Sequence, residues 1–512
     1  MSKNTENSRT RNSTRNMMWG LLYGASTIVL PFVSRVIILQ LLGIRYLGIG
    51  TLFTSVLQFL SLTELGIGTA ITYIMYKPIA EGNTEELCHI LRYIKRLYRI
   101  IGIVMLAVGT LLVPAVPYLT HGEAPADVNI YLLYYIYLIN AVIGYFFAGY
   151  RESLLIAHQR KDVTNRWATL GNTVVALGQV IVLFLTRNIY AYAIVPIAGT
   201  ILTNILVRQT TLKMYPEITP RGEIRPETRA EVRKKLLGLV GTKMNSIVLH
   251  SSDTIVISTF LGLGLTAMYG NYHLIFNSIC GIIMTLFASM TASIGDKLVR
   301  DTLEQNYELF RHISFANNWL VGCCTVLLVC LLEPIIGLFY GSELQLGIGF
   351  TALMGVYFYI YQIQKTVLTF KDAAGIWYAD RYRPYCVMAI NLVSNIIMVQ
   401  FIGIYGIVLS TILAFMISLP WVNKTLFSQL FHRPSGGNLL LMARNALVTA
   451  AISVVCWFLC SLLPENLIGL IAKGVVCFIV SNALLFLVYS RSESFLYWKK
   501  VVLARLGKKK SA

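Results

Sequence analysis

Long apolar runs separated by short polar ones recur along the whole chain. A bilayer core of about 30 Å takes roughly twenty apolar residues in a helix. Runs of that length predict fourteen spans, near 17–42, 51–75, 98–119, 130–149, 167–186, 189–207, 237–260, 267–294, 313–332, 346–369, 385–402, 404–422, 445–463 and 467–489. The turn Gly43-Ile44-Arg45-Tyr46-Leu47-Gly48 divides the first two. The longest polar interruption, about Arg208 to Lys235, is too short to bury a core of its own. The pattern is that of an all-α integral membrane protein of about fourteen transmembrane helices.

The basic residues test that count. With the N-terminus inside, 37 of the 43 Lys and Arg fall on inside segments, and the outside turns hold only Arg45 and Arg187. Cytoplasmic loops carry such an excess, and one span missed or invented would scramble it. Both termini are therefore expected inside. The run after the polar first sixteen residues is too long for a signal-peptide core and is expected to stay as an anchor.

Two six-helix lobes follow from a repeat. Sliding the sequence by 219 residues lays Ile28-Val29-Leu30 on Ile247-Val248-Leu249, Ile38 on Ile257 and Leu42-Gly43 on Leu261-Gly262, six identities in sixteen positions. The expected organisation is a cytoplasmic basic tail (1–16), an N-lobe (17–207), a cytoplasmic linker with an amphipathic helix from Glu227 to Leu237 (208–236), a C-lobe (237–422), two further spans (423–490) and a second basic tail (491–512). Both lobes begin inside, which makes them parallel repeats about an axis along the membrane normal.

Charges inside spans mark candidate chemistry, because each costs about 2.5–3.5 kcal/mol to insert without a partner or water. Arg35 and Glu64 lie in the first hairpin, either as an ion pair or lining a cavity. Lys243, Ser246, His250 and Asp253 share one face of the seventh span, which a partner helix or a watery cavity must cover. Asn271, His273 and Asn277 extend this polar character into the eighth. Lys365 and Lys473 lie near span ends, where a lysine can snorkel to the interface.

Composition narrows the class further. The chain is 56% hydrophobic and 13% charged, and its net charge of +19 alternates with the spans instead of gathering on a nucleic-acid-binding module. The nine cysteines form no CxxC pair and read as small buried hydrophobes, with no disulfide and no metal site assigned. No GxxxxGK[ST], HExxH, GxSxG or GxGxxG motif is present, and no substantial outer loop carries acid–base residues, so no catalytic group and no cofactor are expected.

The opening Asn12-Ser13 and Arg15-Asn16, then Leu30-Pro31-Phe32-Val33-Ser34-Arg35, Leu42-Gly43-Ile44-Arg45-Tyr46-Leu47-Gly48, Leu62-Thr63-Glu64-Leu65-Gly66-Ile67-Gly68-Thr69-Ala70-Ile71 and Tyr76-Lys77-Pro78-Ile79-Ala80-Glu81, resemble bacterial polysaccharide flippases of the Wzx type. That family sits in the superfamily of multidrug and toxin extruders and the lipid II flippase. The resemblance implies two rocking lobes around a central cavity in the inner membrane. It implies transport of undecaprenyl-diphosphate-linked oligosaccharide for O-antigen or capsule, with the polymerase and glycosyltransferases of such a pathway as partners beside the membrane lipids. Coupling to H+ or Na+ stays open. Arg35, Lys243 and Lys365 are the candidate phosphate-binding cations. Glu64, His250, Asp253, Asn271, His273 and Asn277 are candidates for coupling or sugar contact. An ion-coupled multidrug antiporter of the same superfamily is the nearest alternative, and a membrane-embedded polysaccharide polymerase or acyltransferase a more distant one.

Overall fold

The computed structural model describes residues 3–61, 67–147 and 149–509. The protein is 87% helical, without strands among the described residues. Asparagine starts many of the helices. The side chains of Asn83, Asn129, Asn188 and Asn466 each accept a hydrogen bond from a backbone N–H of the first turn that would otherwise lack a partner. Thr302 and Gln305 form a reciprocal capping box at the head of Leu303–Phe339.

Ten described helices are long and apolar enough to cross a bilayer, eleven if the bent pair Ile130–Phe146 and Tyr150–Ala157 is one span. The difference from fourteen lies in breaks and joins. The seventh and eighth spans run on as Pro226–Arg300, two helices that meet without a loop at the non-helical Gly262. The second expected span is divided between Ile44–Leu60 and Ile67–Glu81, and the tenth between Ile348–Ile363 and Lys365–Ala373. A helix or broken helix thus occupies every predicted location, and the molecule is a multi-pass membrane protein.

Several local expectations change. The six-residue turn after the first span shrinks to Gly43, because the next helix begins at Ile44. Glu227–Leu237 is the opening of the Pro226–Arg300 helix and not a separate surface helix. Glu333 is helical, because the ninth helix, that of the ninth span (Leu303–Phe339), runs on past it. The tails are helical as well, within Lys3–Leu41 and Glu493–Lys509. The last of these docks on the head of the ninth helix: Trp498 Nε1 donates to His312 O at 2.9 Å, the His312 and Tyr497 rings stack at 3.9 Å, and Arg311 pairs with Glu493 at 2.8 Å.

The repeat has a backbone counterpart. Gly43 holds φ 102°, ψ 176° and Gly262 holds φ 87°, ψ 176°, a region that essentially only glycine visits. The 219-residue register pairs these two residues. Two compact units are present, Met1–Gly270 and Asn271–Ala512. In the first, a core around Phe53, Tyr134 and Leu138 takes in Leu263 and Ala267. In the second, Phe310, Phe370, Phe427 and Phe431 interlock edge to face near one end.

Candidate functional site

In the first unit the two glycine-turn hairpins pack on each other, and Arg35 lies in the crossing. Leu263, Ala267 and Gly270 fall on one face of their helix. A Cβ on Gly48 would run into the carbonyl of Leu263, so only glycine allows this approach. Arg35 sits six residues before the end of its helix at Leu41, about 9 Å in at 1.5 Å per residue. Its Nη1 donates to Thr51 Oγ1 at 3.1 Å and its Nη2 to the Ala267 carbonyl at 3.3 Å. Gly270 makes room for it, since a Cβ there would lie 2.6 Å from Nη2. The hydroxyls of Tyr137 and Tyr192 are within electrostatic reach of the guanidinium. A half-buried cation inside a span, framed by hydroxyls, suits an anionic group better than an apolar one.

Asp253 belongs to the same unit. It is 2% exposed and accepts from Tyr269 Oη at 3.0 Å, in a buried polar run with Ser251, Ser252, Thr254 and Ser258. The Ser251 hydroxyl has no hydrogen-bond partner among the described residues. Glu64 lies outside the described residues, as do the side chains of Lys243 and His250, whose backbone is helical.

The remaining candidates lie in the second unit. Asn271 is fully buried. His273 and the exposed Asn277 come together, Nδ1 to Nδ2, at 3.0 Å, and His273 also stacks on Phe276. Cys280 continues that face one turn further, and Lys365 reaches its neighbourhood with Nζ 4.2 Å from the Tyr361 ring centroid. Lys365 is the first residue after the break in the tenth span, and Asn317 Nδ2 bonds the Gln362 and Ile363 carbonyls there, at 3.2 and 3.3 Å.

Sequence reasoning missed two buried basic sites because it placed them among loop charges. Arg151 is 3% exposed on the short helix of the bent pair, with no hydrogen-bond partner for its Nε and Nη1 among the described residues and the Tyr150 ring 5.5 Å away. Lys371 and Arg383 enclose buried Asp380, at 2.8 and 2.9 Å, and Arg383 also donates to Ser418. No periodicity marks either site.

Comparison with known proteins places the fold. No family model matches the sequence, and no curated protein does. Among solved structures, a multidrug-resistance MATE family transporter of the MOP superfamily, in an inward-facing conformation, matches with TM-score 0.65 at 13% identity, covering 78% of this chain and 95% of its own. The lipid II flippase MurJ, inward closed, matches with TM-score 0.65 at 15% identity, over 93% of this chain and 99% of its own. A MOP superfamily transporter from Pyrococcus furiosus, described as having a binding pocket of reverse polarity, matches with TM-score 0.55 at 13% identity, over 83% and 96%. The chain has the fold shared by these transporters.

Proposed function

We propose that the protein is a flippase that carries a polyprenyl-diphosphate-linked oligosaccharide across the bacterial inner membrane by alternating access, for surface polysaccharide synthesis. The observation that carries this reading is Arg35, a cation held within a span by Thr51 and the Ala267 carbonyl. A diphosphate with a glycan head cannot cross hydrocarbon unaided, and a guanidinium offers it charge together with a planar fork of donors. The high coverage of the lipid II flippase supports a lipid-linked substrate. In this reading the protein is not an enzyme, both termini are cytoplasmic, and the polymerase and glycosyltransferases of the pathway are its partners. His273, Asn277 and Lys365 would contact sugar or phosphate from the second unit.

The test is surface glycan in a flippase-deleted host, with protein level checked by blot. Arg35→Lys keeps partial export and Arg35→Gln loses it. If Arg35 serves only to neutralise Glu64, the double variant Arg35→Gln/Glu64→Gln regains export. That rescue would overturn the phosphate role. The multidrug antiporter is the second reading, favoured by the equal TM-score of the MATE transporter and by the buried acid Asp253. Drug resistance conferred without glycan export would select it.

A further inference from the structure

Four of the nine cysteines converge at one place in the second unit, drawn from three helices. Cys330 comes from Leu303–Phe339, Cys456 and Cys460 from Gly436–Ser461, and Cys477 from Leu467–Tyr489. The sulfurs of Cys330, Cys460 and Cys477 all lie within 4.8 Å of one another, and Cys460 Sγ is 3.3 Å from Cys477 Sγ. Cys477 also touches Cys456. None of the four is more than 4% exposed, and the surrounding side chains, among them Val326, Ile452 and Leu485, are apolar. Packing alone accounts for a small buried thiol. It gives no reason for four of them to meet.

We propose that Cys330, Cys460 and Cys477 bind one soft d10 cation, Zn(II) or Cu(I). Metal–sulfur bonds of about 2.3 Å set the sulfurs of a tetrahedral or trigonal site some 3.8–4.0 Å apart. The Cys460–Cys477 separation of 3.3 Å is about half an ångström shorter than that value, a difference that small side-chain rotations cover. A thiolate set in hydrocarbon also needs its charge balanced. Lys473 lies one turn before Cys477, is 4% exposed, and makes no side-chain ion pair or hydrogen bond among the described residues. A lysine near a span end was expected to snorkel to the interface, whereas this one stays inside.

The charges close without further help. Zn(II) replaces the protons of three thiols, releasing three H+ to solvent and forming a tris-thiolate of charge −1, whose charge the ammonium of buried Lys473 balances. Cu(I) with two thiolates reaches the same balance and releases two H+. Cys460 is the penultimate residue of its helix, and its sulfur lies 3.8 Å from the Lys473 carbonyl. Once bound, the ion would tie the last two spans to the ninth.

The experiment uses the full-length protein purified in detergent under reducing conditions. Cd(II) serves as the optical probe through its thiolate charge-transfer absorption, and metal per chain is counted by mass spectrometry after incubation with Zn(II). One ion per chain is expected, with a Cd(II) band that Cys460→Ser/Cys477→Ser removes and Cys386→Ser retains. Bound Zn(II) should also shield Cys330, Cys460 and Cys477 of the wild-type protein from alkylation, a measurement that does not depend on how the variants fold. No bound ion in the wild type, a band that survives the double variant, or a Cys460–Cys477 disulfide in protein isolated without reductant would each overturn the site.

Discussion

Replacing Gly43 and Gly262 by alanine separates two energies that the structure combines at the second turn. Each position holds φ near +90° to +100° with ψ 176°, so an alanine at either place costs about 1–3 kcal/mol in backbone strain. At Gly43 that is the whole effect, because an added Cβ meets nothing within 4 Å. At Gly262 the Cβ would lie 2.5 Å from a carboxylate oxygen of Glu123, whose Oε2 accepts from Leu263 N at 2.7 Å. Displacing Glu123 strands that backbone donor and loses a charge-assisted bond worth about 1.5–3 kcal/mol. Gly262→Ala should therefore destabilise by about 3–6 kcal/mol and Gly43→Ala by half as much or less. The assay is denaturant unfolding of purified protein in detergent, followed by tryptophan fluorescence. A cycle with Glu123→Ala sharpens it. In the Glu123→Ala background the Gly262→Ala cost should fall to that of Gly43→Ala, since the clash and the lost bond are already gone. Equal costs for the two glycines in the wild-type background, or additivity in the cycle, would refute the reasoning.

Four further outcomes follow from the geometry. Asp380→Asn leaves buried Arg383 without its counter-charge and Lys371 with only the more distant Asp372, and should cost about 3–5 kcal/mol, read as a lower melting temperature and membrane abundance; wild-type melting would contradict it. Arg151→Met removes a buried guanidinium with two nitrogens that lack a partner among the described residues and should stabilise the protein by about 1–3 kcal/mol while lowering export, and a stabilised variant with full export would make Arg151 a structural residue only. Trp498→Ala breaks the bond to His312 O and should cost about 1–2 kcal/mol in the same unfolding assay, with no loss arguing against docking of the last helix. Reporters inserted after Gly222 and fused at Ala512 should both report the cytoplasm, and an outside signal at either would change the parity of the spans.

The layout of spans was legible because bilayer thickness fixes run length, and the register that joined Gly43 to Gly262 was legible because a tight turn between helices leaves a glycine behind. Other features depend on tertiary packing and leave no such trace. Arg151, Lys371 and Arg383 look like loop charges until neighbouring helices cover them. The break at Gln364 occurs within Tyr361-Gln362-Ile363-Gln364-Lys365, where neither glycine nor proline announces it. Its signature is instead Asn317, almost fifty residues away in sequence, bonding the freed carbonyls. The thiol cluster hid for a related reason: its members stand apart in sequence, and each alone resembles any small apolar residue.

The connection between the third and fourth spans is tied to the second glycine turn by three bonds. Glu123 binds Leu263 N, Ser258 Oγ donates to Leu119 O at 2.6 Å, and His121 Nδ1 meets Thr259 O at 2.9 Å. The first glycine turn is tied to the same connection by Tyr46, whose hydroxyl donates to Asp127 at 2.6 Å, but a Cβ added at Gly43 itself would meet nothing within 4 Å. If the two hairpins descend from one ancestral segment, they no longer drift under the same rules. Around Gly43 a neighbouring position can change without a compensating change at that glycine. Around Gly262, residues 119–123 and 258–263 form a set in which one replacement asks for another, so at the glycine itself the second copy should accumulate change in correlated steps, whereas in the first copy the coupling falls on Tyr46 and Gly48. Divergence would then erode the likeness between the copies unevenly, leaving the glycine and its backbone angles as the most durable record of the duplication.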